Sequence, residues 1–233
     1  MTGTAVSRSL VLFTLNEIEG MRVVLPQIRR DWFDELIVVD GGSTDGTIEF
    51  AEEQGCHVFV QHQPGLAGAF SEALQVANGE IVAFFTPDGN SVPERVPELF
   101  AKMEEGYDIV IVSRYLDGAK SYDDDTVTAF GNWLFTSLTN LFFGTHLTDV
   151  LVGFRAYRRT VINSVMVEAT SNAWASQALI RCHRAGAKIG EIPGDEPPRI
   201  GGQRKMRPLQ NGLAELQVIV EEFLRPWRPP SDE

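Results

Sequence analysis

The stretch Val38-Val39-Asp40-Gly41-Gly42-Ser43-Thr44-Asp45-Gly46-Thr47 decides how this chain is read. Leu36 to Val39 is a short apolar run of strand type. Gly41 and Gly42 permit a sharp exit from it, and Ser43, Thr44 and Asp45 are capping residues for a helix beginning near Thr47. A strand, a glycine-hinged loop and a helix start within ten residues form a turn suited to binding a nucleotide. Asp40 is then expected to point into the crevice where open α/β sheets bind ligands. The plainer reading of the same string, an ordinary capped turn, is set aside or kept by what the rest of the chain does.

Working outward, strand and helix patterns alternate. Ser9 to Leu15 reads as a buried strand closed by Asn16-Glu17, followed by an amphipathic helix from about Glu19 to Arg29. After the opening motif, helix to Gln54, strand over His57 to Gln61, helix over Leu66 to Ala77 and an apolar strand over Glu80 to Phe85 follow in turn. The βαβαβαβ order predicts a mostly parallel sheet between helical layers, with Asn16, Glu17 and Asp40 gathered on one rim. The next polar cluster, Thr86-Pro87-Asp88-Gly89-Asn90, directly follows the fourth strand and precedes a helix from about Pro93 to Glu105. Asp88 therefore belongs to the same rim, at the place of a ligand phosphate. Hard divalent ions are held there by one or two carboxylates together with substrate phosphates.

A fifth strand, Asp108 to Val112, ends at Ser113-Arg114-Tyr115, which offers the planar fork of Arg114 to a phosphate. Asp123, Asp124 and Asp125 precede the apolar helical segment Val127 to Phe143, where negative charge suits a helix start. A base or metal contact is the sharper alternative for them. Asp149 leads into Val150 to Tyr157, read as a return to the sheet. Ser171 to Ala185 reads as helix and Ala187 to Ile192 as a late strand. Pro193 to Pro208 holds four prolines, three glycines and the basic residues Arg199, Arg204, Lys205 and Arg207, the marks of a mobile basic loop. The last helix, about Leu209 to Leu224, carries Leu213, Leu216, Val220 and Phe223 as one stripe, expected to be a core or homodimer face.

Composition narrows the function classes. With 233 residues and no Pro/Gly/Ser-rich divider, a single domain is expected. A net charge of −12 argues against a general nucleic-acid or anionic-membrane binder. The two cysteines, Cys56 and Cys182, lack metal-ligand spacing and suit reduced thiols in a cytoplasmic protein. Neither a signal peptide nor an apolar span of about 18 residues is evident, though the basic loop and final helix leave peripheral membrane contact open.

Taken together, these residues make the chain similar to the family 2 glycosyltransferases of the GT-A fold, in the dolichyl-phosphate mannose synthase-like branch. The resemblance rests on Asn16-Glu17, the opening motif, and Pro64-Gly65-Leu66-Ala67-Gly68-Ala69. Further along it rests on Ser113-Arg114-Tyr115, Gly153-Phe154-Arg155 and Glu191-Ile192-Pro193. It implies a Rossmann-like three-layer sandwich, a nucleotide-diphosphate sugar donor of UDP or GDP type, a divalent Mg or Mn ion, and glycolipid or cell-envelope polysaccharide synthesis. Asn16, Glu17, Asp40, Asp45, Gly65 and Thr86 would bind the donor, and Asp88 with Asn90 the metal. Asp88, Arg114 and Asp149 would act in catalysis, Asp149 as general base for a hydroxyl acceptor. Arg199, Arg204 and Lys205 would face the acceptor, a lipid phosphate or a glycan hydroxyl.

Two departures from the family pattern stand out. The expected Asp-any-Asp triplet, followed by Pro93-Glu94, becomes Thr86-Pro87-Asp88 or Asp88-Gly89-Asn90. Lipid-phosphate-using relatives usually carry an arginine where this chain has Asp123-Asp124-Asp125. A phosphate 4 Å from one such charge is repelled by about 1 kcal/mol in water and about 4 at an effective dielectric of 20. A sugar-nucleotide-binding protein with weakened catalysis and a nucleotidyltransferase are the rival readings. The latter's usual glycine-rich loop with a following arginine is not evident after the first strand.

Overall fold

The computed structural model describes residues 6–201 and 208–226. Among these residues seven strands form one sheet in the order β3-β2-β1-β4-β6-β5-β7. The strands are β1 Arg8–Thr14, β2 Glu35–Asp40, β3 His57–Val60, β4 Ile81–Phe85, β5 Ile109–Ser113, β6 Arg155–Arg158 and β7 Ile189–Pro193. Neighbours pair parallel, except that β6 runs antiparallel to both β4 and β5. This is the mostly parallel three-layer α/β architecture expected from the alternating pattern.

Alternation along each strand explains the layers. In β1, Val11 and Phe13 pack toward α3 (Gly65–Val76), α5 (Thr126–Phe143) and α7 (Trp174–Arg184), whereas Leu10 and Leu12 pack toward α1 (Ile18–Val24), α2 (Thr47–Glu53) and α4 (Arg95–Glu104). The central β4, Ile81-Val82-Ala83-Phe84-Phe85, is at most 1% exposed, as a strand covered on both faces must be. Phe70 stacks on Trp174 with ring centroids 4.1 Å apart, and Phe84 lies 5.0 Å from Phe70.

Several boundaries differ from the sequence expectation. The first helix ends at Val24 rather than Arg29, because Pro26 forces the chain into a short 3-10 turn, Leu25–Gln27. Only Arg155–Arg158 of the segment Val150 to Tyr157 is strand, and a five-residue helix, α6 Arg159–Asn163, follows it. Reversal of β6 has a functional consequence. Its leading end lies at the rim where the parallel strands finish, so the loop carrying Asp149 joins Asn16, Asp40, Asp88 and Arg114 there.

The last helix, α8 (Pro208–Leu224), reverses the expected polarity. Leu213, Leu216, Val220 and Phe223 are 62%, 41%, 39% and 50% exposed, so this stripe is not core. The inward face instead carries Glu215 and Glu222 beside Val218 and Ile219. Glu222 is matched by Arg181 at 2.7 Å and Gln177 at 3.0 Å. Burial pushes the Glu215 carboxyl up to about 7, against the pull of a hydrogen bond with Ser176 and of nearby Arg155.

The sign of that shift gives a testable pH dependence. The unfolded chain ionises Glu215 near 4.5 and the folded one only near 7, so this contribution to stability is full below pH 4.5 and lost as pH rises through 7. At about 1.4 kcal/mol per unit the loss is about 3 kcal/mol. Urea melts at pH 5 and pH 8 should show Glu215→Gln flattening this slope and gaining on the native chain at pH 8.

Candidate active site

The opening loop is organised by Asp40. Its carboxylate is 0% exposed and accepts hydrogen bonds from Thr14 Oγ1 at 2.6 Å, Ser43 Oγ at 2.6 Å, Gly42 N at 2.8 Å and Ser43 N at 2.6 Å. The expectation that Asp40 points into the crevice is therefore corrected: in this conformation it is enclosed and shapes the loop. Its partner Ser43 accepts from Asn16 N at 2.7 Å, and Asn16 Oδ1 accepts from Thr44 N at 2.9 Å. Asn16 adopts φ +53°, a left-handed turn that asparagine tolerates well.

Asp45 ties the same loop to α1 and α2. It accepts from Ile18 N at 3.1 Å, Thr47 N at 3.0 Å and Thr47 Oγ1 at 2.5 Å. Burial disfavours its charge, yet these hydrogen bonds outweigh it and hold the carboxyl below its ordinary value. Thr47 Oγ1 in turn accepts from Glu17 N at 3.0 Å. The result is an open cleft of about 270 Å³ lined by Asn16, Glu17, Ile18, Glu19, Asp45 and Ile200, among others. Gly65, first residue of α3, is exposed at the neighbouring turn, and Thr86 is half-buried just past β4.

Asp88 lies beside this cleft, and Arg199 bridges it to Glu17. The guanidinium meets Asp88 Oδ2 at 2.7 Å and forms a second, close ion pair with Glu17. Ile200 N donates to the Asp88 carbonyl at 2.7 Å, which seats the segment after β7 on the turn after β4. Burial pushes the Asp88 carboxyl up; Arg199 and the Asn90 N–H at 3.1 Å pull against that, and Glu17 adds to it. Arg199, expected on the acceptor side, is thus the cation at Asp88. Arg204 and Lys205 lie outside the described residues.

Asp88 and Asn90 suit a hard cation. Asn90 Oδ1 is buried without a hydrogen-bond partner, an oxygen two residues from the Asp88 carboxylate. No cluster of three or more His, Cys, Asp or Glu side chains fit to hold a metal occurs among the described residues, so substrate oxygens would complete the coordination. Close packing supports the turn. A Cβ on Gly20 of α1 would collide with the Pro87 carbonyl oxygen and stand 3.0 Å from Asp88 Cα.

A second cluster surrounds Arg114. Asp149 grips it from two sides, at 2.7 Å to Nε and 3.1 Å to Nη2, while Nη1 faces Glu196 at 3.2 Å and Asp124 at 3.7 Å. Burial works against the guanidinium charge, but the three carboxylates hold its pKa well above the ordinary value. Two expectations are corrected here. Arg114 is enclosed by acids instead of being open to a phosphate. Asp149, expected as a general base, is 0% exposed and also accepts from Leu151 N and Val152 N at 3.2 Å, so both its oxygens are engaged within the protein. The acidic triad divides its work. Asp125 is the N-cap of α5 in a capping box with Thr128, and Asp124 bonds the Tyr115 hydroxyl.

Glu191 and Glu196 join this cluster without having been singled out as site residues. Glu191 accepts from Thr148 N and Oγ1 at 3.0 Å, and burial pushes both glutamates up. Glu191 stands in the Glu-Ile-Pro string that marked the resemblance; Glu196 carries no local signal.

Comparison with known proteins settles the class. The glycosyl transferase family 2 profile matches residues 9–166. The chain belongs to this family. A dolichyl-phosphate hexose transferase of Haloferax volcanii is 31% identical over 93% of this chain and 96% of its own length. Glycosyltransferase AglJ of the same organism is 29% identical over 85% of this chain, which spans only 66% of that relative. Among solved structures, glucosyl-3-phosphoglycerate synthase of Mycobacterium tuberculosis with Mn²⁺, UDP and phosphoglyceric acid aligns at TM-score 0.71 and 27% identity. That alignment covers 95% of this chain and 80% of the other. The GT-A architecture and the class of nucleotide-sugar-dependent glycosyltransferase follow.

Arg199 occupies the acids that a cation would need. Arg199→Ala is expected to tighten Mn²⁺ binding in the absence of nucleotide by about tenfold, read by calorimetry, because it removes a competing positive charge from Asp88 and Glu17.

Proposed function

We propose that this chain transfers a hexose, with inversion, from a nucleoside diphosphate sugar held in the Asn16–Asp45 cleft to an acceptor delivered at a lipid surface. The observation that carries the reading is the junction of that cleft with Asp88, Asn90 and Arg199. Nucleoside and ribose rest against the loop that Asp40 holds in shape, and the diphosphate reaches the turn after β4. Asp88 and Asn90 would hold a divalent ion there, which when bound supplies Lewis-acid stabilisation of the diphosphate. The Mn²⁺ and UDP in the solved relative support this assignment.

Arg199 changes partners in this scheme. Arrival of the diphosphate draws its guanidinium from Glu17 and Asp88 to phosphate oxygens, where it balances charge that grows as the bond breaks. The acceptor oxygen bonds to the anomeric carbon from the opposite face, and a hydroxyl acceptor gives up its proton to solvent water as that bond forms. The carbon–oxygen bond to the diphosphate breaks, and its electron pair leaves with the nucleoside diphosphate. Asp149 serves as a positioning residue that orients Arg114 and the loop before β6.

A lipid-side acceptor is supported by the relatives' names and by the surface of α5. This helix has no charged residue in 18 positions and exposes Val127, Phe130, Trp133 and Leu141. It packs beside α8, whose apolar stripe also faces outward, and Arg204, Lys205 and Arg207 precede α8 in sequence. Such a face suits peripheral contact with a membrane. Among the described residues no helix is long and apolar enough to cross one.

Asp88→Ala is expected to lower release of free nucleotide from a sugar nucleotide by about 10²-fold or more, the scale of losing one charge-stabilising group. Retained thermal stability with unchanged turnover would refute the placement of the diphosphate at Asp88. Asp149→Asn should act differently, reducing turnover and also thermal stability, since it loosens a buried ion pair.

A further inference from the structure

A second groove, on the opposite half of the sheet from the donor cleft, has a chemistry of its own. It measures about 320 Å³, within the range of small-molecule sites of about 300 to 1,000 Å³. Tyr115, Asn132, Trp133, Thr136, Ser137 and Thr148 are its principal lining residues, and no charged side chain lines it. Trp133 is 62% exposed and Tyr115 36%, so two aromatic side chains reach solvent at the groove. Asn132 is 2% exposed, yet its Oδ1 is buried without a hydrogen-bond partner. A buried amide oxygen left unmatched costs free energy until a ligand donor meets it.

The walls are held firmly. Asn140 donates to Leu147 O at 2.9 Å and accepts from Leu147 N at 2.9 Å, which fixes the loop after α5. Thr148 Oγ1 lies 2.6 Å from Ser113 Oγ, and Thr136 Oγ1 accepts from Val150 N at 3.3 Å. Beyond the walls, among the described residues, Arg114 is held by Asp149, Glu196 and Asp124 and is turned away from the groove lining. With no charged side chain in the lining, an anionic ligand would find no cation to meet it, whereas an uncharged ligand rich in hydroxyls would find hydroxyl and amide partners together with aromatic side chains for its C–H surface.

We propose that this groove is a saccharide subsite that binds a neutral hexose ring of the acceptor, so that the acceptor presents a sugar hydroxyl. The inference rests on the glycosyltransferase reading above and specifies the acceptor class for it. The ring can come from the head group of a glycolipid, in keeping with the lipid-surface acceptor proposed above, or from a free glycan, in which case that part of the reading is replaced. The apolar side chains Phe130 and Trp133, with ring centroids 5.6 Å apart, adjoin the groove on α5.

Calorimetric titration of the whole chain with methyl mannoside, methyl glucoside, octyl glucoside below its micelle concentration and citronellyl phosphate tests the assignment. Saturable binding of at least one neutral hexoside is expected. Trp133→Ala and Ser137→Phe should each weaken it at least tenfold, while UDP with Mn²⁺ still binds both variants as a check on folding. Octyl glucoside binding at least tenfold tighter than methyl glucoside would point to a glycolipid, and equal affinities to a free glycan. Absence of hexoside binding, hexoside binding indifferent to both variants, or citronellyl phosphate binding weakened by Trp133→Ala would each overturn the proposal. If UDP with Mn²⁺ fails to bind the native chain, the donor-site reading fails instead, and hexoside binding still decides the groove.

Discussion

The buried Asp40 carboxylate is the constraint from which the rim is built. Four donors converge on it, from the end of β1 and from the loop after β2, and they hold two chain reversals in one geometry. Ser43 passes the constraint to Asn16, and the neighbouring Thr47 fixes Glu17. Glu17 then shares Arg199 with Asp88, so a carboxylate with no exposed surface governs the position of the cation across the cleft. A buried charge of this kind is tolerated because every lone pair has a donor.

Charge is distributed very unevenly over the two halves of the site. At the Asn16–Asp45 cleft, among the described residues, the Arg199 guanidinium bridges Glu17 and Asp88, and an amide oxygen at Asn90 remains unmatched. On the other half, Arg114 answers three acids and is closed off by them. Among the described residues both clusters gather more carboxylates than guanidinium groups, and the first adds the Asn90 oxygen that suits a hard cation. The sequence departure from Asp-any-Asp thus coexists with a site that still presents hard oxygen donors at Asp88 and Asn90.

Helices α5 and α8 show how a local pattern can mislead. The 3-4 spacing of Leu213, Leu216, Val220 and Phe223 is that of a packed face, and sequence alone assigns it inward or to a partner. In the fold, Glu222 takes the inward side because Arg181 and Gln177 of α7 are there to meet it. Phe142 and Phe223 stack with centroids 4.5 Å apart, joining the outward faces of the two helices into one apolar surface.

The succession of strands and helices along the chain and the fold class were legible from residues alone, since alternating apolar runs and glycine-hinged turns are local features set by backbone and hydrophobic period. The polar rim was legible for the same reason: Asn16, Asp40, Asp45 and Asp88 each end or follow a recognisable strand. Only the tertiary structure decided which of these groups are open and which enclosed. That depends in part on partners 26 to 182 positions away, as in Thr14 to Asp40 and Glu17 to Arg199, and no local pattern encodes such pairings. The reversed β6 is the clearest case. Its sequence reads as strand, but its direction follows from edges left by β4 and β5, and that direction alone brings Asp149 to Arg114.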